Sequence, residues 1–271
     1  MEREPYLFKA FPGLRGKLAW MPLGQFPTPV ERLEKLGAEL RCRELWVKRD
    51  DISAERYGGN KVRKLEFTLA DAKARGRDTI ITFGAVGSNH VLATTVHSRT
   101  AGLRTVGIFM PQAVQEYLRR NIVCNQSQGC EIVPVKSDVG GVLRLPGVYL
   151  NQWRRQGKRP YVLWFGGSST LGVLGYVEAG LEIAEQVRAG LMPEPEFVFV
   201  PVGSCGTFAG LMLGLRLAGL NSAAVGVRVY DRAFANERAA ARQANRAAKL
   251  LHHLDRSIPS ITFSSREVVM L

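Results

Sequence analysis

Lys61 stands where a tight loop gives way to a helix. In Tyr57-Gly58-Gly59-Asn60-Lys61-Val62-Arg63-Lys64, two glycines and an asparagine precede it, and Arg63 and Lys64 follow. A lysine in a first helical turn lies at the positive end of the helix dipole. Nearby cations depress an ammonium pKa, which makes the neutral amine more available. The neutral amine is the form that condenses with an aldehyde to give a Schiff base. The GxxxxGK[ST] spacing of a nucleotide-binding loop is absent. Taken alone, the segment reads equally well as a solvated basic first turn.

Three more loops stand between an apolar run and a helix, and two of them have the composition of anion sites. Gly84-Ala85-Val86-Gly87-Ser88-Asn89-His90 follows an apolar run, with Ser88 in position to cap a helix. Its backbone N–H groups and hydroxyl suit a carboxylate, and a plain capped turn is the competing reading. Gly203-Ser204-Cys205-Gly206-Thr207 lies between another apolar run and an apolar helix. Its small residues allow close backbone approach to an anion, and its hydroxyls add donors. This is the best local phosphate cradle in the chain, although it does not match the GxGxxG fingerprint. The loop from Phe165 to Gly172 (FGGSSTLG) reads as a hinge or a substrate-facing segment, with Tyr176 beyond it as packing. No GxSxG elbow or HExxH helix is present. His97 reads as a surface or core histidine rather than a base.

These loops need a scaffold, and the chain supplies alternating signals for one. Short β-rich runs cover 45–47, 79–83, 105–110, 131–135, 161–165, 196–202 and 225–230. Helical spacing covers 61–74, 90–101, 114–128, 172–188, 207–217 and 235–254. Strands alternating with helices indicate an α/β architecture. The near-continuous apolar character of the strands suits parallel sheets covered on both faces. The chain closes on Arg-Glu-Val-Val-Met-Leu, which reads as an element cut mid-course or as a short terminal strand.

Composition narrows the function classes. The 271 residues are 46% hydrophobic and 23% charged, enough for a substantial core without disulfides or metals. No apolar run reaches membrane-span length and no secretory signal opens the chain, so the expectation is a cytoplasmic protein with no membrane association. Cys42, Cys124, Cys130 and Cys205 form neither a CxxC pair nor a zinc spacing. The net charge of +13 comes from basic residues spread along the chain rather than gathered in a tail. That distribution fits a binder of phosphate and carboxylate groups better than a nucleic-acid-binding module, which stands as a third reading.

Taken in order, these segments resemble the 1-aminocyclopropane-1-carboxylate (ACC) deaminase/D-cysteine desulfhydrase family of tryptophan-synthase-β-like, fold-type II pyridoxal-phosphate (PLP) enzymes. The likeness begins at Phe26-Pro27-Thr28-Pro29-Val30-Glu31-Arg32-Leu33 and continues through Leu45-Trp46-Val47-Lys48-Arg49-Asp50-Asp51. It includes Gly58 to Phe67, Ser88-Asn89-His90, the Gly166–Tyr176 loop and the Gly203–Thr207 loop, and it fades after Asp231. The resemblance implies a two-lobed α/β fold with parallel-rich sheets flanked by helices. The larger lobe would comprise 1–63 and 176–271, and the smaller 64–175.

By the same resemblance, Lys61 would hold PLP covalently and shuttle the substrate proton. Asn89 would bond the ring 3′-hydroxyl. Ser88 would be catalytic alongside Lys61 and, with the N–H groups of Asn89 and His90, would take the substrate carboxylate. Lys64, Gly203, Ser204, Cys205, Gly206 and Thr207 would hold the phosphate. The substrate would be a small amino acid, D-cysteine or ACC, and the assembly a homodimer. Cys205 stands where relatives usually have glycine, and Phe208 replaces a polar residue and is expected to reshape the pocket. Relatives also continue beyond the position of Leu271. That stretch would carry an active-site tyrosine and the partner of the pyridine nitrogen, so the larger lobe is expected to lack its C-terminal part. A truncated or degenerate PLP-binding protein without turnover is therefore the second reading.

Overall fold

The computed structural model describes residues 3–271. In chain order its elements are α1 (Tyr6–Ala10), β1 (Val30–Arg32), α2 (Glu34–Glu39), β2 (Trp46–Lys48), α3 (Lys61–Ala74), β3 (Thr79–Ala85), α4 (Asn89–Thr100), β4 (Arg104–Met110), α5 (Glu116–Ser127) and β5 (Glu131–Pro134). They continue with α6 (Asp138–Gln156), β6 (Tyr161–Leu163), α7 (Thr170–Arg188), β7 (Phe197–Val202), α8 (Gly206–Leu217), β8 (Ala223–Arg228), α9 (Glu237–Leu254) and β9 (Val269–Met270). Two parallel sheets organise the molecule, one of order β5-β4-β3-β6 and one of order β7-β8-β9, and β1 and β2 form a small antiparallel pair.

The α/β reading from the sequence matches this architecture, and most expected elements are present within a few residues. The longest element that no expectation covered is α6, a 19-residue helix, and the short α1, β1 and α2 were not expected either. Gly140, Gly141, Pro146 and Gly147 break its local pattern, since glycine and proline are poor interior helix residues. The helix forms nonetheless, with Ser137 capping it through Gly140 N at 3.0 Å and buried Val148 packed under the first parallel sheet. The terminal Val-Val-Met-Leu forms a short strand, with Val269 in register with Val225.

One expectation needs correcting. The first sheet is covered on both faces, but the second is covered on only one. Val198, Val200 and Met270 pack into the main core beneath α8 and α9. On the opposite face Phe197 is 50% exposed and Phe199 is 62% exposed, and Val227, Val269 and Leu271 are also exposed. The period-two alternation of a one-sided strand was hidden because β7 is apolar on both faces.

The core that positions the loops is built on α7. This helix lies between α3 and α8 at backbone contact. A Cβ on Gly175 would fall 2.3 Å from the Arg63 carbonyl of α3, and one on Gly180 would fall 2.6 Å from the Gly214 backbone of α8. Only glycine permits such approach. The result sets the N-termini of α3 and α8 beside each other. Phe67 of α3 and Phe208 of α8 are fully buried in this core, each contributing about 1.5–3 kcal/mol. The expectation that Phe208 reshapes a pocket is thus overturned. Its ring packs inward, and a Cβ on Gly226 would touch it at 3.1 Å.

A buried ionic network fixes the opposite side of α3. Arg63 Nη2 donates to Asp50 Oδ1 at 2.7 Å and to Glu182 Oε1 at 2.9 Å, while Nη1 donates to Glu182 Oε2 at 2.9 Å. Tyr176 donates its hydroxyl to Asp50 Oδ2 at 2.6 Å, and Lys48 pairs with Glu182. Tyr176 is thus a packing and network residue, as the sequence reading held. Burial would raise the Asp50 carboxyl, but the Arg63 guanidinium outweighs it and holds the group at about 2.

Candidate active site

Loops at the carboxyl ends of parallel strands are where α/β proteins place ligands, and the sequence-selected segments meet there. β3 runs into the Ser88 turn, β7 runs into the Gly203–Thr207 loop, and β6 leads through a 3₁₀ turn (Phe165–Gly167) into α7. Lys61 opens α3 against the same region. Asn60 joins two of these parts. Its Oδ1 accepts from Lys61 Nζ at 3.0 Å and its Nδ2 donates to Thr207 Oγ1 at 3.3 Å.

Lys61 has no carboxylate partner among the described residues. Burial pushes its ammonium down to about 8. The neighbouring cations, expected from the sequence to be the cause, are not. Arg63 points into the ionic network, where two carboxylates neutralise it, and desolvation alone accounts for the shift.

Lys64 lies one turn further along α3 and is 1% exposed. Its Nζ donates to the Gly166 carbonyl at 3.2 Å and to Ser168 Oγ at 3.3 Å, with no carboxylate among its partners. Burial and then the charge of Lys61 push this ammonium well below its ordinary value. A buried cation with only neutral acceptors is costly.

The first turn of α8 completes that corner. Cys205 occupies its N-cap at φ 62°, and no side chain caps the helix, so the first-turn N–H groups of Thr207 and Phe208 lack intrahelical acceptors. Positive φ favours glycine; the Cys205 thiol is turned away toward the Phe234 and Asn236 carbonyls at 3.6 and 3.8 Å. Ser204 Oγ lies 2.7 Å from Ser168 Oγ, and the Ser204 carbonyl accepts from Gln243 Nε2 at 2.9 Å. Gly203 faces open space, with nothing within 4 Å of where a Cβ would stand. An orphaned lysine, two hydroxyls and an uncapped helix N-terminus form a donor set that fits a phosphate.

The Ser88 turn caps α4 as expected, with Val91 N donating to Ser88 Oγ at 3.3 Å. The N–H groups of Asn89 and His90 stand in the first turn of α4. Gly87 N donates to Gln112 Oε1 at 3.2 Å. The His90 imidazole is buried, with Nε2 3.0 Å from Thr82 Oγ1. Burial, and then Lys61 and Lys64, hold it well below its usual value and hence neutral. His97 is also buried, with Nε2 2.9 Å from the Tyr57 carbonyl. Asn89 is exposed, and its Oδ1 accepts from Tyr57 Oη at 3.0 Å and from Asn121 Nδ2 at 3.1 Å.

Sequence reasoning missed several of these residues. Asn121, Gln112 and Gln243 carry no motif and reach the loops only through tertiary packing, and the contact of Tyr57 with Asn89 is likewise tertiary. Asn60 and Ser168 lay inside segments already singled out, but their contacts to Thr207 and Lys64 could not be read from spacing.

Comparison with known proteins places this geometry in context. Residues 21–268 match the family model described as pyridoxal-phosphate dependent enzyme. A Pyrococcus abyssi (strain GE5 / Orsay) protein, provisionally named 1-aminocyclopropane-1-carboxylate deaminase, is 36% identical over 82% of this chain and 65% of its own length. D-cysteine desulfhydrase of Klebsiella pneumoniae (strain 342) is 39% identical over 75% of this chain and 62% of its own length. The chain therefore spans less than two thirds of these relatives. The crystal structure of an ACC deaminase homologue superposes with a TM-score of 0.81 at 29% identity, covering 99% of this chain and 76% of that one.

Proposed function

The chain belongs to the family of pyridoxal-phosphate dependent enzymes, and from that premise we propose that it is a lyase or deaminase acting on a small amino acid. The reaction would be D-cysteine to pyruvate, sulfide and ammonia, or ACC to 2-oxobutanoate and ammonia. The carrying observation is the pair Lys61 and Lys64, a half-buried and a buried amine in one corner with no carboxylate partner among the described residues. Burial disfavours the charged form of both, and Lys64, the more deeply buried, carries its proton favourably only with an anion beside it.

In this reading Lys64, Ser204, Thr207 and the first-turn N–H groups of α8 hold the cofactor phosphate. The dianion then offsets the desolvation cost of Lys64. Bound PLP supplies an electron sink for charge developing at the substrate α-carbon. Lys61 supplies the amine that holds the cofactor, and once displaced by substrate its neutral Nζ accepts and returns a proton. Asn60 Oδ1 orients that Nζ. Ser88 and the N–H groups of Asn89 and His90 bind the substrate carboxylate, and neutral His90 adds no competing charge. The lobes are read as 1–63 with 176–271, and 64–175. The free thiol state of Cys42, Cys124, Cys130 and Cys205 supports a reducing compartment, and a homodimer belongs to the same reading.

Product analysis tests it. The PLP-loaded protein is incubated separately with D-cysteine and with ACC, and the keto acid is identified. Pyruvate or 2-oxobutanoate is expected, and no keto acid from either substrate would remove the proposal.

A further inference from the structure

The carboxamide of Asn89 is held by donors from two distant parts of the chain. Tyr57, on the loop before α3, donates its hydroxyl to Asn89 Oδ1 at 3.0 Å. Asn121, on α5, donates Nδ2 to the same oxygen at 3.1 Å and to the Gly87 carbonyl at 2.8 Å. Asn121 thus ties the backbone of the Ser88 turn to the side chain that projects from it.

These contacts also fix which way each amide faces. A backbone carbonyl only accepts, so the Asn121 atom on Gly87 O must be its nitrogen. That nitrogen only donates, so the Asn89 atom it meets must be the oxygen. With Oδ1 taken by two donors, Asn89 has only its Nδ2 hydrogens left to offer a ligand. The arrangement is supported from behind. Asn121 is 1% exposed, and its carbonyl accepts from Asn125 Nδ2 at 2.9 Å. Asn125 Oδ1 in turn accepts from Thr95 Oγ1 at 2.8 Å. Tyr57 is tethered through its own carbonyl to His97 of α4 at 2.9 Å.

We infer that Asn121 and Tyr57 are positioning residues that lock the Asn89 amide as a donor toward the ring oxygen of bound PLP. This rests on the cofactor reading above. A locked donor selects an ionised, acceptor-only oxygen over a hydroxyl, because the hydroxyl would spend its proton against another donor. Loss of either support frees the amide to rotate, and the ionised ring oxygen loses part of its stabilisation.

The test loads the full chain with PLP and follows the pH midpoint of the bound cofactor's visible band, alongside the thermal midpoint. Wild type is compared with Asn89→Ala, Tyr57→Phe, Asn121→Ala and the Tyr57→Phe/Asn89→Ala double variant. Asn89→Ala is expected to raise the band midpoint by about half a pH unit or more. Tyr57→Phe and Asn121→Ala are expected to raise it in the same direction, and Tyr57→Phe to add nothing once Asn89 is alanine. If Asn121→Ala does not accumulate as folded protein, the Tyr57→Phe pair decides. The inference is overturned if Tyr57→Phe leaves the midpoint in place while Asn89→Ala moves it, or if Tyr57→Phe shifts it equally in both backgrounds. A wild-type protein with no cofactor band overturns the cofactor reading and this inference together, an outcome distinct from the other two.

Discussion

Gly206 opens α8 directly against the ammonium of Lys64: a methyl group at Gly206 would come within 3.1 Å of Lys64 Nζ. A helix N-terminus, which favours anions, therefore faces a buried amine, and neither has an anionic partner among the described residues. Two positive ends meeting in a dry corner are unfavourable unless something negative sits between them.

Replacement of Lys64 tests that relationship. Lys64→Met removes a buried amine that loses its proton or is desolvated at a cost in the free protein, so the variant without cofactor is expected to melt at or above the wild-type temperature. Its affinity for PLP is expected to fall about tenfold or more, because hydrogen bonds to charged groups contribute roughly 1.5–3 kcal/mol. Calorimetric melting with and without cofactor, together with a PLP titration, checks both parts.

Lys61 has a pH signature of its own. Its folded-state pKa of about 8 lies below the ordinary 10.5. Between those values the unfolded chain carries a proton that the folded chain lacks, so this residue's contribution to stability rises with pH across the window. Borohydride trapping of PLP on Lys61 should rise with a midpoint near the lower value. A midpoint close to that of an exposed lysine would show that burial does not tune the amine.

Asp50 works in the other direction. Its carboxyl is held at about 2 against an ordinary 3.8, so the stability it contributes is present above the ordinary value and is lost as pH falls through that interval. Asp50→Asn strips one carboxylate from buried Arg63. The expected cost is about 3 kcal/mol or more at neutral pH, with a shallower acid decline than wild type. Denaturant unfolding at neutral pH and near pH 3 reads both effects.

The loops were legible in the sequence because each is local: glycines and hydroxyl residues between an apolar run and a helix. Their convergence was not, because it depends on α7. Gly180 packs against Gly214, and Gly175 packs against Arg63, and nothing in local spacing announces that these glycines serve close approach. The buried state of Lys64 was hidden for the same reason, since a lysine beside Arg63 reads as solvated until the packing of α7 and the Gly166 loop is known. The bare face of β7 escaped notice because Phe197 and Phe199 are as apolar as the core-facing Val198 and Val200. α6 was missed because its glycines and proline argue against a helix that tertiary packing nonetheless supports.

The role of that glycine contact can be measured. A Cβ at position 180 would lie 2.6 Å from the Gly214 backbone, which cannot give way as a flexible side chain could. Gly180→Ala is expected to destabilise the protein by about 1–3 kcal/mol or more through overpacking, read as a lowered denaturant midpoint. Because the strain would part α7 from α8, PLP binding should weaken with it.

The most direct test of the account is the visible spectrum of the purified protein after loading with PLP and removal of free cofactor, recorded beside that of Lys61→Ala. The account predicts a protein-bound band in the wild type that is absent from the variant. A folded wild-type protein without the band, or a variant that keeps it unchanged, would contradict the assignment of Lys61 as the residue that holds the cofactor.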